Sequence, residues 1–597
     1  MIINALTKYY EILADDEESN IPLCGYSNAK VDFALNISLM GELLEVIPLK
    51  VEGNGGKKLV SRMMIVPERC NRSQGVSSNF MCDNCTYVLG IDSKDKPERS
   101  KKAFEAFNEL QHKVLGNAKG QAAKAVLAFL ENWDVEQARE NTALSDCLDE
   151  ILKGGNLVFK IDEEKVFAHN DLEIKTLWEN HNAKSEDDIT GQCLITGKNG
   201  TIARVHPKIT NVRNAQSSGA LIVSVNAPAY ESYGKTQSFN SPVSKRVAFA
   251  YTTVLNYMLA NPKQKLQVGD ATTVFWAESP EAIYRDLAAE LFNPTIPEKE
   301  SNNAFRRDER TEKLVQDVLY RVKSGLQIND LNGTIDPQTK FYVLGLSPNA
   351  SRISIRFFHA DSFGGFVVKA SQHYMDMEIV KDFEKSPSNI PIWMMLAETV
   401  SPNSNDKSAS PLLAGAMMRS ILNGGMYPQF CYNAIMQRVL TDIDKRVNYV
   451  RASIIKAYLT RKARVTNNQE LKEVLSVGLN EETTNNAYLL GRLFAILEKT
   501  QQDAGNETIR ARYFASACTT PGAVFPILLR LAQFHIAKAK YGLLNDKKIE
   551  AVLNNVDGFP SHLTLDQQGL FSLGYYHQKT KLWEKQTKEE QNIEEEN

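Results

Sequence analysis

The stretch KFYVLGLSPNASRISIRFFHADSFG, residues 340–364, decides the fold, because it is the last place where a hairpin can be read. Its two runs of aliphatic and aromatic residues flank a turn over Ser347–Ala350. Strand patterns recur before it. VDFALNISLMGELLEVIPLK (31–50) predicts a hairpin turning at Met40, Gly41 and Glu42, and KLVSRMMIVPE (58–68) the next strand. NLVFKIDEEKVFA (156–168) is a short β excursion, GQCLITGKNGTIARVHPKI (191–209) a second hairpin turning over Gly197–Gly200, and KLQVGDATTVFWAES (265–279) a β pair around Gly269 and Asp270. Helices with one apolar face are expected at 1–16, 96–116, 121–133, 172–182, 247–261, 280–292 and 308–323. Beyond about residue 380 the β pattern stops. Helices are expected at 411–423, 428–442, 445–463, 468–477, 487–503, 507–516, 521–541, 546–554 and 565–578, the pattern of a bundle. The expected class is α+β: a β-rich domain decorated with helices over 1–385, an all-α helical bundle over 386–580, and an acidic disordered tail over 581–597. The boundary falls between 385 and 410, where SPNSNDKSAS (401–410) is rich in turn residues.

A chain of 597 residues is too long for one core, and 43% hydrophobic with 24% charged residues describes an ordinary globular protein. No apolar run approaches the length of a membrane span, and the first twenty residues lack the order of a secretory signal, so a cytoplasmic location is expected. Eight cysteines spread over this length make no disulfide framework. The net charge of −3 hides an uneven distribution. Residues 437–585 hold 21 Lys and Arg against 14 Asp and Glu, and such a local basic excess suits nucleic acid even on a near-neutral chain.

Three segments carry candidate binding residues. LIVSVNAPAYESYGKTQSFNSPVS (221–244) is expected to open as a buried strand at Leu221–Val225 and to end in a helix start, with Ser241 as N-cap and Pro242 at the first helical position. Between them stand Asn226, Tyr230, Ser232, Tyr233, Gly234, Lys235, Gln237 and Asn240. Amides that reach base edges, rings that stack and a cation for phosphate suit a nucleic-acid surface, while an Ω-loop packed on its own tyrosines explains the same residues. Asn71, Arg72, Ser73, Gln74 and Asn79 form a donor-rich loop that could set an arginine on phosphate and an amide against a base, or simply a polar surface loop. KRVNYVRASIIKAYLTRKAR (445–464) carries Lys445, Arg446, Arg451, Lys456, Arg461, Lys462 and Arg464 without an acid, which suits a phosphate backbone or a solvated face.

No catalytic motif is present. Cys82 and Cys85 form a C-x-x-C with no second pair, so zinc is not expected, and Gly197–Thr201 lacks the P-loop pattern. The nine histidines are scattered, and His359 with Asp361 is the compact pairing that a metal-dependent nuclease would use. No catalytic residue, metal or cofactor is expected. The alternatives are such a nuclease, or a structural scaffold without DNA contact.

Several phrases in the same order give a more specific reading: NRSQGVSSNFMCDN before YVLG, VSVNAPAYESYGKTQ, AFAYTTVLNYML, FYVLGLSPNASRISIRFF, PLLAGAMMRSIL, AYLLGRLFAILEKTQ, IRARYFASACTTPGAVFPILLRLAQFH and LDQQGLFSLGYYHQ. Together they resemble the large subunit of the type I-C CRISPR effector complex, the I-C form of Cascade, from the first helix to about Lys579. The resemblance implies a non-catalytic subunit that recognises the protospacer-adjacent motif in double-stranded DNA, aids duplex opening, holds the displaced strand and helps recruit a helicase-nuclease. It implies as partners the CRISPR RNA-containing backbone subunits, a small subunit and target DNA. It further implies that Asn71, Arg72, Ser73, Gln74 and Asn79 approach the adjacent motif, with Lys235, Gln237 and Asn240 in support. Where the family motif usually reads R-T-S-G, this chain has Arg72, Ser73, Gln74 and Gly75. The part from about 475 is similar to the family's small subunit, and a separate product of it would need a non-AUG start such as Val474 or Val477, because the last methionine is Met436.

Overall fold

The computed structural model describes residues 1–16, 18–52, 59–70, 72, 75–93, 96–182, 189–225, 227–294, 309–324, 335–405, 408–443, 446–539 and 541–595. The chain divides into two compact units. One comprises Leu6–Pro207 and Val225–Val254, the other Met1–Ala5, Lys208–Ser224 and Leu255–Asn597. The stretch 385–410 runs inside the second.

The first unit is built on the strand Tyr26–Ile37, buried from Val31 onward because it is paired along both edges. Its first half pairs antiparallel with Arg62–Pro67 and its second half with Leu43–Pro48. Its other edge runs parallel to Asn156–Ile161, which in turn pairs antiparallel with Cys82–Asn84. A parallel neighbour needs a crossover. The helices Pro97–Leu115 and Gln121–Asn132 lie within it, and they bring Phe107 and Phe129 within 6.3 and 5.6 Å of the Phe159 ring. The hairpin turn holds Gly41 at φ +82°, and a Cβ there would lie 2.3 Å from the Phe129 nitrogen, so no side chain fits.

The second unit holds an antiparallel sheet in the order Lys265–Val268, Ala271–Ala277, Lys340–Asn349, Arg352–Ser362. Trp276, Tyr342 and Phe358 stack across three of its strands. Phe341, Phe363 and Phe366 form a second aromatic group. The last strand passes directly into the helix Phe363–Met377, capped by Ser362, whose hydroxyl accepts from the Gly365 N–H at 3.0 Å. One apolar core runs from this sheet through the helices to Leu582. The helices Pro411–Asn423, Gln429–Thr441, Tyr449–Val465, Gln469–Val474, Asn486–Asp503, Ile509–Thr519, Pro521–Lys538, Gly542–Leu553 and Leu565–Glu595 stand where their periodicity placed them. Asn486–Asp503 and Leu565–Glu595 approach closely at two glycines: a Cβ on Gly491 would meet the Phe571 carbonyl oxygen at 1.9 Å, and one on Gly574 the Tyr488 carbonyl oxygen at 2.1 Å. The backbone of Leu565–Glu595 stays helical through most of the stretch expected as a disordered tail.

Two local expectations are corrected. Leu221–Val225 is half-buried and forms no strand: Ala220 and Leu221 make isolated bridges to Ile209 and Arg352, too little pairing to extend a sheet. The helix expected to start at Pro242 begins at Lys245, with the Ser244 hydroxyl accepting from the Val247 N–H at 3.4 Å. The backbone before it is already engaged, since Pro242 and Val243 carbonyls accept from Leu194 and Ala203.

Candidate nucleic-acid interface

Of the first loop's candidates, Asn71, Ser73 and Gln74 lie outside the described residues. Arg72 is a brace. Its Nη1 donates to Asp83 Oδ1 at 2.9 Å, its Nη2 to Asp83 Oδ2, and its Nε to the Ser77 carbonyl, while the guanidinium sits 3.8 Å above the Tyr87 ring. Burial works against the charged guanidinium, but the Asp83 carboxylate outweighs it and lifts the Arg72 pKa above its ordinary value. Asp83 is wholly buried and also accepts from the N–H groups of Asn79 and Asn84 at 2.9 and 2.8 Å. Asn79 is buried as well; its Oδ1 accepts from the Cys70 N–H at 2.9 Å, and its carbonyl from Gln111 Nε2 at 3.2 Å. The expectation that Arg72 and Asn79 face a ligand is therefore corrected. Both hold the two ends of the loop together, and Gly75, Val76 and Ser77 between them are exposed.

The second loop is braced in the same way by Asn240. Its Oδ1 accepts from the N–H and hydroxyl of Ser232 at 2.8 and 3.0 Å, and its Nδ2 donates to the carbonyls of Lys235 and Gln237. Gln237 is tied by its Oε1 to Arg204 Nε at 2.6 Å. The Asn240 amide is spent on the loop itself, and the Gln237 Oε1 ties the loop to Arg204. The tip they support is a tight turn in which the Lys235 N–H donates to the Ser232 carbonyl at 3.0 Å, with Tyr233 and Gly234 at φ +55° and +67°. Tyr233 is 97% exposed, an uncommon combination of a bulky ring, a left-handed backbone and full solvent contact. Lys235 beside it is exposed. Sequence reasoning put Tyr233 among the loop's rings but could not show that it alone stands at the turn, since that follows from Asn240 closing the loop around it. The two loops adjoin through their flanks: burial raises the Glu68 carboxyl pKa, and Lys245 at the end of the second loop pulls it back down.

The basic helix is corrected more fully. Tyr449–Val465 is a core helix, and Arg451, Lys456 and Arg461 are internal, while Lys462 is half-buried and Arg464 exposed. Arg451, 4% exposed, bridges Glu398 at 2.6 Å and Asp442 at 2.7 Å. Arg461 donates Nε to Asp376 Oδ2 at 2.9 Å, and Arg464 reaches the same carboxylate from the surface. Lys456 is buried with its Nζ 3.3 Å from the Asp376 carbonyl, and Lys462 pairs with Asp566. Arg446 is buried against the carbonyls of Leu440 and Ala511, its pKa lowered by burial and then by Arg510. Lys445 lies outside the described residues. The helix carries no acid of its own, and its counter-charges come from other elements: Asp442 close by in sequence, Glu398, Asp376 and Asp566 far from it.

Among the described residues no group of three or more His, Cys, Asp or Glu side chains could hold a metal ion. Cys82 is buried, its thiol pushed up to about 12. His359 stands 3.7 Å from Asp361, whose carboxylate is engaged by Lys369 at 2.7 Å. No described helix is long and apolar enough to cross a membrane.

Over residues 6–583 the chain matches the model of the family described as CRISPR-associated protein (Cas_Csd1). The chain belongs to this family. The match spans both compact units and agrees with the resemblance read from the motifs. No curated protein matches the chain. As a Csd1-family member the chain is a CRISPR-associated protein, and its two braced loops sit in one unit of it.

Proposed function

We propose that this Csd1-family chain is the non-catalytic large subunit of a type I-C, RNA-guided Cascade complex, recognising the adjacent motif in duplex DNA. In such complexes guide pairing reads the long sequence and protein reads the short motif. The observation that carries the reading is the tip Tyr233–Gly234–Lys235, a fully exposed ring and a cation on a turn that Asn240 holds rigid. A rigid ring loses little entropy when a base stacks on it, and the adjacent ammonium neutralises a phosphate. The first loop contributes Asn71, Ser73 and Gln74 as the groups that approach bases, with Arg72 and Asn79 bracing its described flanks. Opening of the duplex, retention of the displaced strand and recruitment of a helicase-nuclease follow from the same role, as do the guide-bearing backbone subunits and a small subunit as partners. The chain itself breaks no covalent bond.

The test is binding by the assembled complex. Gln74→Ala and Asn71→Ala are expected to lose about 1–3 kcal/mol on the preferred motif and to relax discrimination. Binding of matched and altered motifs like that of the unsubstituted complex overturns the assignment.

A further inference from the structure

Beside the first loop lies an open cleft of about 600 Å³. Arg72 and Tyr87 stand on one side, and Arg99, Lys153, Gly154 and Asn156 also line it. We infer that this cleft is a phosphate site that holds one or two backbone phosphodiesters of the duplex flanking the adjacent motif, with Arg99 and Lys153 as its charged ligands. The inference rests on the DNA-binding reading above and adds residues to it that are remote from the loop in sequence.

The charge balance favours an anion. Arg72 is already matched by buried Asp83, so its guanidinium closes the wall without adding net charge. Arg99 and Lys153 are exposed and form no ion pair among the described residues. The acid nearest Lys153 in sequence, Glu150, is paired with Lys50 at 2.5 Å, and its pKa is lowered first by Lys50 and to a smaller extent by the charge of Lys153. Among the described lining residues Asp92 is the one carboxylate, and its Oδ1 accepts from the Lys96 N–H at 3.2 Å. The remaining side chains there are mostly hydroxyls and amides, Asn84, Thr86 and Ser93 among them, which suits phosphate oxygens better than an apolar metabolite. Arg99 stands in the first turn of Pro97–Leu115, at the positive end of a 19-residue helix dipole, a turn that also holds Glu98.

The floor is bare backbone. Gly154 and Gly155 hold φ +115° and +124°, where L side chains do not go, and a Cβ on Gly155 would lie 2.5 Å from Asp32 Oδ2. At Gly154 nothing stands within 4 Å of that position, so the glycine leaves open space on the cleft side. A bulky strand could approach there without meeting a side chain.

The experiment uses the assembled complex carrying Arg99→Ala with Lys153→Ala, both exposed positions, and titrates duplexes with matched and altered motifs across a series of KCl concentrations. The slope of log K against log salt is expected to fall by about 1.8, two contacts at about 0.9 each, with the same fold-loss on both duplexes. The charge-preserving pair Arg99→Lys with Lys153→Arg is expected to restore most of the slope. An unchanged slope, or a loss confined to the matched motif, overturns the inference while leaving motif recognition by the loops intact. Reduced retention of CRISPR RNA with an unchanged DNA slope also overturns it, since the phosphate would then belong to the guide. Equal binding of all motifs by the unsubstituted complex refutes the broader reading separately.

Discussion

Arg461 offers the sharpest contrast between a cation that binds DNA and one that holds a fold. Its side chain is 1% exposed and its partner Asp376 equally so. Beyond the carboxylate, Nη1 donates to the carbonyls of Ser420 at 3.1 Å and Gly425 at 2.5 Å, and the guanidinium lies 4.4 Å from the Tyr427 ring. Arg461→Ala removes all of these at once and leaves Asp376 buried, with Gln372 at 2.9 Å and the half-exposed Arg464 as its remaining partners. Removing one member of a buried pair costs about 3–5 kcal/mol, a large share of the 5–15 kcal/mol that holds a typical domain. Arg464, 40% exposed on the same carboxylate, is the control, and its loss is expected to cost about 1 kcal/mol or less. Urea denaturation of the isolated chain followed by circular dichroism measures both. The midpoint should fall steeply for Arg461→Ala and slightly for Arg464→Ala, and complex that still assembles with Arg461→Ala should keep its salt slope for DNA. Wild-type stability together with a shallower salt slope would refute this account and restore the helix as a DNA-binding surface.

Other outcomes follow from the same contacts. Tyr233→Ala is expected to weaken DNA binding by the complex by about 1–3 kcal/mol, the range for one stacked base, without lowering the denaturation midpoint, because the ring packs on little and its left-handed backbone is strained. Arg72→Ala strands the buried Asp83 carboxylate, so it should destabilise the first unit by about 1–3 kcal/mol and speed proteolysis at residues 71–78. Acid should destabilise the chain through its buried histidines. Burial lowers His169, His206 and His577 to about 4 and holds His373 well below its ordinary value, while the unfolded chain titrates near 6.5. Between those values the unfolded state binds more protons, so the stability present above pH 6.5 is lost as pH falls toward 4. Between pH 7 and 5.5 the loss is about 1 kcal/mol per histidine, read as a falling urea midpoint. A midpoint independent of pH in that window would contradict the neutral histidine–tyrosine pairs His206–Tyr251, His373–Tyr427 and His577–Tyr488.

The periodic features were legible in the chain. The helices after 410 show local 3.6-residue patterns, and the strands at 31–37, 62–67, 271–277 and 340–362 show short apolar runs between turn residues; both survive folding. What could not be read are consequences of long-range pairing. The 445–464 segment looks like a bare basic surface until Asp376, 85 residues before Arg461, and Asp566, 104 residues after Lys462, are brought to it. Leu221–Val225 has the composition of a strand, but a strand also needs a neighbour, and single bridges are what it finds. The candidate loops are readable in the chain as donor-rich segments. Their side chains sorted into braces and exposed tips only through buried Asp83 and through Asn240, whose three-way bonding leaves Tyr233 and Lys235 as the groups that face outward.

The central claim is that the chain grips duplex DNA at a short flanking motif within an RNA-guided complex. Its most direct test is the affinity of the purified complex for duplexes identical in the guide-matched region and differing in the flanking motif alone. A preference for one motif that shrinks in complexes carrying Gln74→Ala or Tyr233→Ala is the expected result; equal affinity for every flanking sequence would contradict the account.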